Sequence, residues 1–159
     1  MAKADVFLDM QGVTGESTDD KHRGKIEIDG FSWKADAPTD VYSGATTGAT
    51  ALHALVIHKH ADRSSPALIK LLDTHKVVPS AALIVRKSGT DRLEYLTITL
   101  ADVCVSSFRV RGGGALRSDV IERVVLTFAR LTYSYTPQDR DGGAGSAPID
   151  YTAIRAPGR

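Results

Sequence analysis

Cysteine is nearly absent from this chain. Cys104 is the only one among 159 residues, so no disulfide can form within one copy and the sequence favours folding in a reducing cytoplasm. The opening residues Met1–Asp5 do not show the charged, apolar and small-residue blocks of a Sec signal peptide, and we expect none. No apolar run approaches the roughly 20 residues that cross a bilayer, so we expect no membrane insertion.

Charge of one sign and aromatic residues are also scarce. Lys and Arg number 20 against 19 Asp and Glu, which gives a net charge of +1. Because no dense Lys/Arg run is present, the composition predicts no nucleic-acid partner. Four Phe, five Tyr and one Trp are spread along the chain, which argues against an aromatic-lined ligand pocket.

The sequence does contain the alternation of β-strands, and the length predicts one domain over residues 1–159. Ile26 and Ile28 share one strand face, but the next large apolar residues, Phe31 and Trp33, lie in the opposite phase. A strand changes its buried face only through an extra residue or a bend, so we expect a corner at residues 29–30.

Two later segments are too long for straight strands. Residues 93–111 lack a strong breaker and would extend about 60 Å, so they must bend, at Asp102 or at residues 106–107. Residues 120–135 predict another long strand whose phase flips between Phe128 and Leu131. These features predict a mainly β fold of two antiparallel sheets wrapped into a small β-barrel.

One short α-helix interrupts the β pattern. Ser64 and Ser65 suit a helix N-terminus and Pro66 suits its first position. Leu68 and Leu71 follow at helical spacing, and Pro79 lies beyond the expected end.

Two segments have loop composition. Residues 36–50 are rich in Gly, Ser and Thr, have no apolar period, and predict an extended loop that reaches a neighbouring subunit or ring. Residues 138–147 predict a flexible Gly-rich loop before a last short strand at 149–154.

No candidate catalytic, cofactor or metal site is complete. His58 and His60 share a strand face but lack further ligands for zinc. Cys104 lies in an apolar strand without an activating base, which indicates a small buried side chain. Gly112–Gly114 lack the Lys-Ser/Thr of a phosphate loop, and Ser17 lacks the Gly-x-Ser-x-Gly context. We expect no enzyme, no cofactor and no metal.

A series of short motifs occurs in a distinctive order. They are Gly15–His22, Ile26–Ile28, Phe31–Trp33, Ser65–Leu68, Val85–Gly89, Glu94–Leu96, Val105–Ser107, Leu126–Ala129 and Tyr135–Gln138. In this order and spacing the chain resembles the Hcp (hemolysin-coregulated protein) family, the tube protein of the bacterial type VI secretion system. The likeness covers about residues 6–138.

This resemblance implies a two-sheet barrel with one short helix and a homohexameric ring. It also implies rings stacked into a hollow tube, with a contractile sheath outside, a spike protein at the tip and small effectors carried in the lumen. Proteins of this kind pass from the cytoplasm to the extracellular space or a target cell without a Sec leader. The implied function is that of a structural tube subunit.

Two loops are the predicted ring or stacking interface. Residues 36–50 are long and lack a core-forming pattern, and residues 109–118 form a Gly-rich loop with three arginines between two long strands. The predicted interface residues are Tyr42, Ser43, Gly44, Thr46, Thr47, Gly48, Arg111, Gly112, Gly113 and Gly114. A stand-alone β-barrel carrier for a ligand or effector is the alternative function, and an enzyme using Ser17 or His58 is a third.

Overall fold

A computed structural model describes residues 4–45, 48, 50–89, 92–114, 119–138, 145 and 147–154. Its elements, in chain order, are β1 (Ala4–Met10), β2 (Ile26–Glu27), β3 (Gly30–Ser32), β4 (Ala35–Asp36), β5 (Ala51–Leu52), β6 (Leu55–His60), α1 (Ser64–Thr74), β7 (Val78–Lys87), β8 (Glu94–Arg111), β9 (Ile121–Thr127), β10 (Arg130–Tyr135) and β11 (Ile149–Ile154).

The strands form two antiparallel layers. In the first layer the order is β2, β1, β7, the first half of β8, β10 and β11. In the second layer the order is the last part of β8, then β9, β6 and β3. β4 and β5 pair only with each other among the described strands.

The first corner between the layers lies where the apolar phase flips. β2 pairs with β1, whereas β3, two residues further on, pairs with β6 in the other layer. Asp29 marks the change, because its N–H donates to the carbonyl of His58 at 2.8 Å. The predicted corner at residues 29–30 is confirmed.

The second corner lies inside the 18-residue strand β8. Val103 still pairs with β7, and the next residue, Cys104, pairs with β9. Asp102 has a φ of 53°, and a bulge follows between Val105 and Ser107. Both predicted bending points are therefore used, one to turn the strand and one to shift its register.

One expectation about the strands was wrong. Residues 120–135 form two strands, because the chain crosses between the layers at Phe128 and Ala129, where Ala129 N–H donates to Ala101 at 3.0 Å. The mainly β class with two sheets and a short helix is confirmed, but the sheet is not closed. In the strand order through the described residues, β2 is the first strand and β3 the last, and these two strands do not pair with each other. A closed barrel would have a hydrogen-bonded pair there; in this chain the two strands are connected only through residues 28–29.

The core fills the space between the layers. It is one cluster of buried side chains drawn from both sheets and from Leu68 of the helix. Its fully covered members include Leu8, Ile26, Leu55, Ile57, Leu68, Leu83, Val103, Val124, Leu126 and Leu131.

A buried ion pair fixes the start of α1 against the second layer. Lys59 is fully buried, and its Nζ lies 2.6 Å from Glu122 Oε2 and 3.0 Å from Asp62 Oδ1. The hydroxyl of Ser65 donates to the same Glu122 oxygen at 2.9 Å. Asp62, and not a serine, accepts the first free N–H of the helix, that of Ser64 at 2.9 Å. The sequence placed the helix correctly but assigned its cap to the wrong residue.

The loop before β2 is held by a buried arginine. Arg86 of β7 donates to both carboxylate oxygens of Asp19, with 2.9 Å between Nη1 and Oδ1, and it lies over the ring of Phe7. At Gly15 an added Cβ would lie 2.4 Å from the carbonyl oxygen of Lys25, so only glycine lets this loop approach β2 so closely.

We expect this loop anchor to make stability depend on acid. The Arg86 guanidinium, with backbone N–H donors, holds the pKa of Asp19 well below its usual range, although burial opposes the shift. Because the folded state keeps Asp19 ionised where the unfolded chain protonates it, this contribution is complete above about pH 4 and is lost as the pH falls further. Urea unfolding between pH 6 and pH 2 should show a shallower fall for Asp19→Asn than for the native chain.

The adjacent substitution Asp20→Asn is the matched control. Asp20 is exposed and its carboxylate has no partner among the described side chains. We expect the pH profile of this variant to follow the native one. Equal slopes for the native chain and Asp19→Asn would contradict the assignment.

Candidate functional site: exposed surfaces for self-assembly

The predicted extended loop, residues 36–50, is described at residues 36–45, 48 and 50, and we call it the arm. It leaves the body through β4 and returns through β5, which pair in the register Ala35 with Leu52 and Asp36 with Ala51. His53 Nε2 lies 2.7 Å from Asp36 Oδ2, and Lys34 Nζ lies 3.3 Å from the same oxygen. The His53 imidazole, followed by Lys34, lowers the pKa of Asp36, so the base of the arm is joined by charged hydrogen bonds.

The tip of the arm carries apolar side chains into solvent. Val41 is 93% exposed and Tyr42 is 100% exposed. The turn beneath them is ordered by Asp40, whose carboxylate accepts the N–H of Tyr42 at 2.8 Å, and by Gly44 at a φ of 70°. The Tyr42 N–H bond lowers the pKa of Asp40. A structured turn that exposes two large apolar side chains is typical of a contact with another chain.

A second exposed apolar surface lies on β10 and β11. Tyr133 pairs with Tyr151 and Tyr135 pairs with Ile149, and all four point to the face that also carries the buried Leu131. Their exposed fractions are 38% for Tyr133, 43% for Tyr135, 64% for Ile149 and 70% for Tyr151. We call these four residues the β10–β11 patch. The face of the first layer that packs against the core near Leu131 is therefore exposed to solvent at these four residues.

The third surface is the turn after β8. Arg111, Gly112 and Gly113 line a groove of about 430 Å³ together with side chains of β6 and β9. Gly113 and Gly114 have φ values of 81° and 107°, which favour glycine in this turn.

The predicted interface residues therefore lie on two separate elements. Tyr42, Ser43, Gly44 and Gly48 lie on the arm, whereas Arg111 and the three glycines lie at the end of β8. Thr46 and Thr47 lie outside the described residues. No hydrogen bond joins the two groups in the described parts of the chain.

The residues considered for metal binding or catalysis do not come together in one site. His60 Nδ1 lies 2.6 Å from Asp29, and no cluster of metal-ligating side chains occurs among the residues that the structure covers. Cys104, predicted as a small buried side chain, is half-buried. Ser17 is buried, and its hydroxyl accepts the N–H of Asp19 at 3.2 Å. In the same part of the chain, no helix has the length and apolar character to cross a membrane.

Comparison with known proteins identifies the family. Residues 7–135 match the family model described as "Type VI secretion system effector, Hcp". The chain belongs to the Hcp family. It is similar to protein hcp1 of Pseudomonas aeruginosa, with 34% identity over 150 residues that cover 92% of each protein.

Solved structures agree with this family. One, titled "Structure of a type six secretion system protein", superposes with a TM-score of 0.85 at 27% identity and covers 94% of this chain and 95% of its own. Hcp1 from Salmonella typhimurium superposes with a TM-score of 0.76 at 30% identity and covers 97% of this chain and 95% of its own.

Family membership decides between the functions that the sequence left open. This Hcp protein is a subunit of the type VI secretion tube, and hexameric assembly and secretion follow from the family. The stand-alone carrier is not favoured.

Sequence reasoning missed the β10–β11 patch. Its signal was present, because tyrosines alternate with Thr132 and Ser134, and Ile149 and Tyr151 repeat that spacing. Pairing of the two strands was the missing step, since residues 136–148 separate them and pairing is not encoded locally.

Proposed function

We propose that this Hcp protein builds the inner tube as a single-domain subunit that uses different surfaces for ring closure and for stacking. The observation that carries this proposal is the exposure of apolar side chains at two sites, the arm tip and the β10–β11 patch. Monomeric soluble proteins rarely expose contiguous apolar patches unless a partner covers them.

The β10–β11 patch suits ring closure. A cyclic ring needs head-to-tail contacts in which two different patches of each subunit meet. Here the partner is a second copy of the chain. Its surface covers the four exposed side chains of the patch, just as the core of the same subunit covers Leu131. Among the described strands β11 pairs only with β10, so its outer edge also offers free backbone groups for the neighbouring copy.

The arm and the turn after β8 suit stacking. The arm is joined to the body through its base, and its tip exposes Val41 and Tyr42 to solvent. Arg111 and Gly112–Gly114 form the second part of the predicted stacking face. In this arrangement the sheath surrounds the rings, the spike protein lies at the tip, and small effectors occupy the lumen during export from the bacterial cytoplasm. The role is structural and requires no catalysis.

Deleting residues 41–49 tests the arm. We expect the variant to keep its urea unfolding midpoint, because the described residues of the deleted segment, 41–45 and 48, are exposed. We expect its stacks or rings to dissociate at a higher protein concentration than the native assembly does. Sedimentation velocity measures both species. The point variant Tyr42→Ser should reproduce part of the loss without changing chain length.

The control for the arm is Ile69→Ser on α1. Ile69 is 46% exposed and lies outside the proposed contacts, so this substitution removes apolar surface without affecting stacking. Sedimentation profiles that do not change on deletion of residues 41–49 would refute the role of the arm.

A further inference from the structure

The outer face of the second layer carries a row of basic side chains across three strands. Arg109 of β8 lies directly opposite Arg123 of β9, and Arg123 lies directly opposite His58 of β6. Neighbouring strands are about 4.8 Å apart, so the row spans roughly 10 Å. Arg111 lies two residues beyond Arg109 and therefore on the same face.

The β8 bulge creates this row. Before the bulge Val105 pairs with Leu126, and after it Ser107 pairs with Val125, so one extra residue enters β8. If the register before the bulge continued, Arg109 would lie opposite Glu122, whose side chain is buried and faces the core. The bulge instead places two guanidinium groups opposite each other, an arrangement that destabilises a sheet.

The charge of the row is not neutralised by the described carboxylates. Arg109, Arg111 and Arg123 form no ion pair with them. The carboxylate of Glu122 is buried and bound by Lys59 at 2.6 Å. Asp119 also lines the groove, with its carboxylate 3.9 Å from Nε2 of His60. The basic side chains therefore dominate this face.

These groups share one concave space. His58, Arg109, Arg111 and Arg123 line the groove of about 430 Å³ described above, a size typical of small-molecule sites. Guanidinium groups bind oxyanions through two parallel N–H···O bonds, and several of them around one groove match a ligand with several oxyanion groups.

We propose that this groove is a binding site for a compact polyanion, with Arg109 and Arg123 as its central ligands and His58 and Arg111 at its ends. The shared chemistry is two or more oxyanion groups within about 10 Å, supplied by phosphates or carboxylates. All four side chains belong to one copy of the chain, and Arg111 also belongs to the proposed stacking face.

Calorimetric titration of the full-length protein with inorganic pyrophosphate tests the site, with citrate as the carboxylate arm. At low ionic strength we expect saturable binding of at least one of them, and comparing the two distinguishes the phosphate from the carboxylate source. Arg109→Gln and Arg123→Gln should each weaken binding about tenfold or more, since each removes a charge-assisted bidentate contact. Arg23→Gln removes the same charge from an exposed loop position and should change affinity less than about twofold.

Thermal unfolding without ligand gives a second measurement that does not depend on finding the right anion. Arg123→Gln should keep or raise the melting temperature, because it relieves repulsion between facing cations. A lower melting temperature would show that Arg123 stabilises the sheet, and would overturn the proposal. Absence of saturable binding for both anions, or equal loss of affinity in Arg23→Gln, would also overturn it.

Discussion

Tyr151→Arg is expected to release single subunits at concentrations where the native chain forms rings. Tyr151 is 70% exposed in one subunit and lies in the middle of the β10–β11 patch, opposite Tyr133. The substitution leaves the fold of the subunit intact because the side chain packs little within it. In the ring it places a cation against the apolar surface of the neighbouring copy.

The expected loss is large because buried tyrosines are frequent anchors of interfaces. Removing such an anchor costs about 2 kcal/mol or more per contact, which weakens each contact roughly 30-fold. Ring closure multiplies this effect, since the same contact recurs at every subunit boundary of the ring. Sedimentation velocity over a dilution series measures the shift from rings to subunits.

The adjacent residue provides a matched control for this prediction. Thr152 lies on the opposite face of β11, is exposed, and shares a side-chain hydrogen bond of 3.0 Å with Thr132. Thr152→Arg introduces the same charge one position away and should leave rings intact. Rings that survive Tyr151→Arg, or that are lost equally in both variants, would remove the β10–β11 patch from the ring interface.

Lys59→Met is expected to lower the free energy of unfolding by about 3–5 kcal/mol. The substitution leaves the buried carboxylate of Glu122 with only the hydroxyl of Ser65 as its partner. It also removes the contact that joins Asp62, which caps α1, to the second layer. For a chain of this size each kcal/mol corresponds to about 2–4 °C in melting temperature, so thermal and urea unfolding both measure the loss.

Two variants separate the ion pair from side-chain packing. Lys70→Met changes an exposed lysine of α1, the helix that Asp62 caps, and should alter the free energy of unfolding by less than about 0.5 kcal/mol. Lys59→Met combined with Glu122→Leu removes both charges and should restore much of the lost free energy of unfolding, because two apolar side chains can be buried without a charged partner. A double variant as unstable as Lys59→Met alone would show that Glu122 is not the source of the cost.

The corners of the fold could be predicted because the phase of strand alternation is a local property. The flip between Ile28 and Phe31 located the first corner, and the length of β8 required the second. The left-handed backbone of Asp102 and the bulge after Val105 were both indicated by polar or small residues in an apolar strand. Local pattern therefore sufficed to give two layers.

Pairing across long separations could not be predicted in the same way. The register that brings Arg109 opposite Arg123 depends on one inserted residue, and β10 pairs with a strand that begins 13 residues after its own end. The ion pair between Lys59 and Glu122 likewise joins residues 63 positions apart. Alternation shows which residues share a face, but not which strands lie next to each other.

Negative-stain electron microscopy of the purified native chain, together with its solution mass, tests the central claim that sister subunits cover the exposed apolar surfaces. We expect annular particles with a central hole and a mass six times that of the 17.0 kDa subunit. A population of 17.0 kDa particles at high concentration, without rings, would contradict assembly through these surfaces.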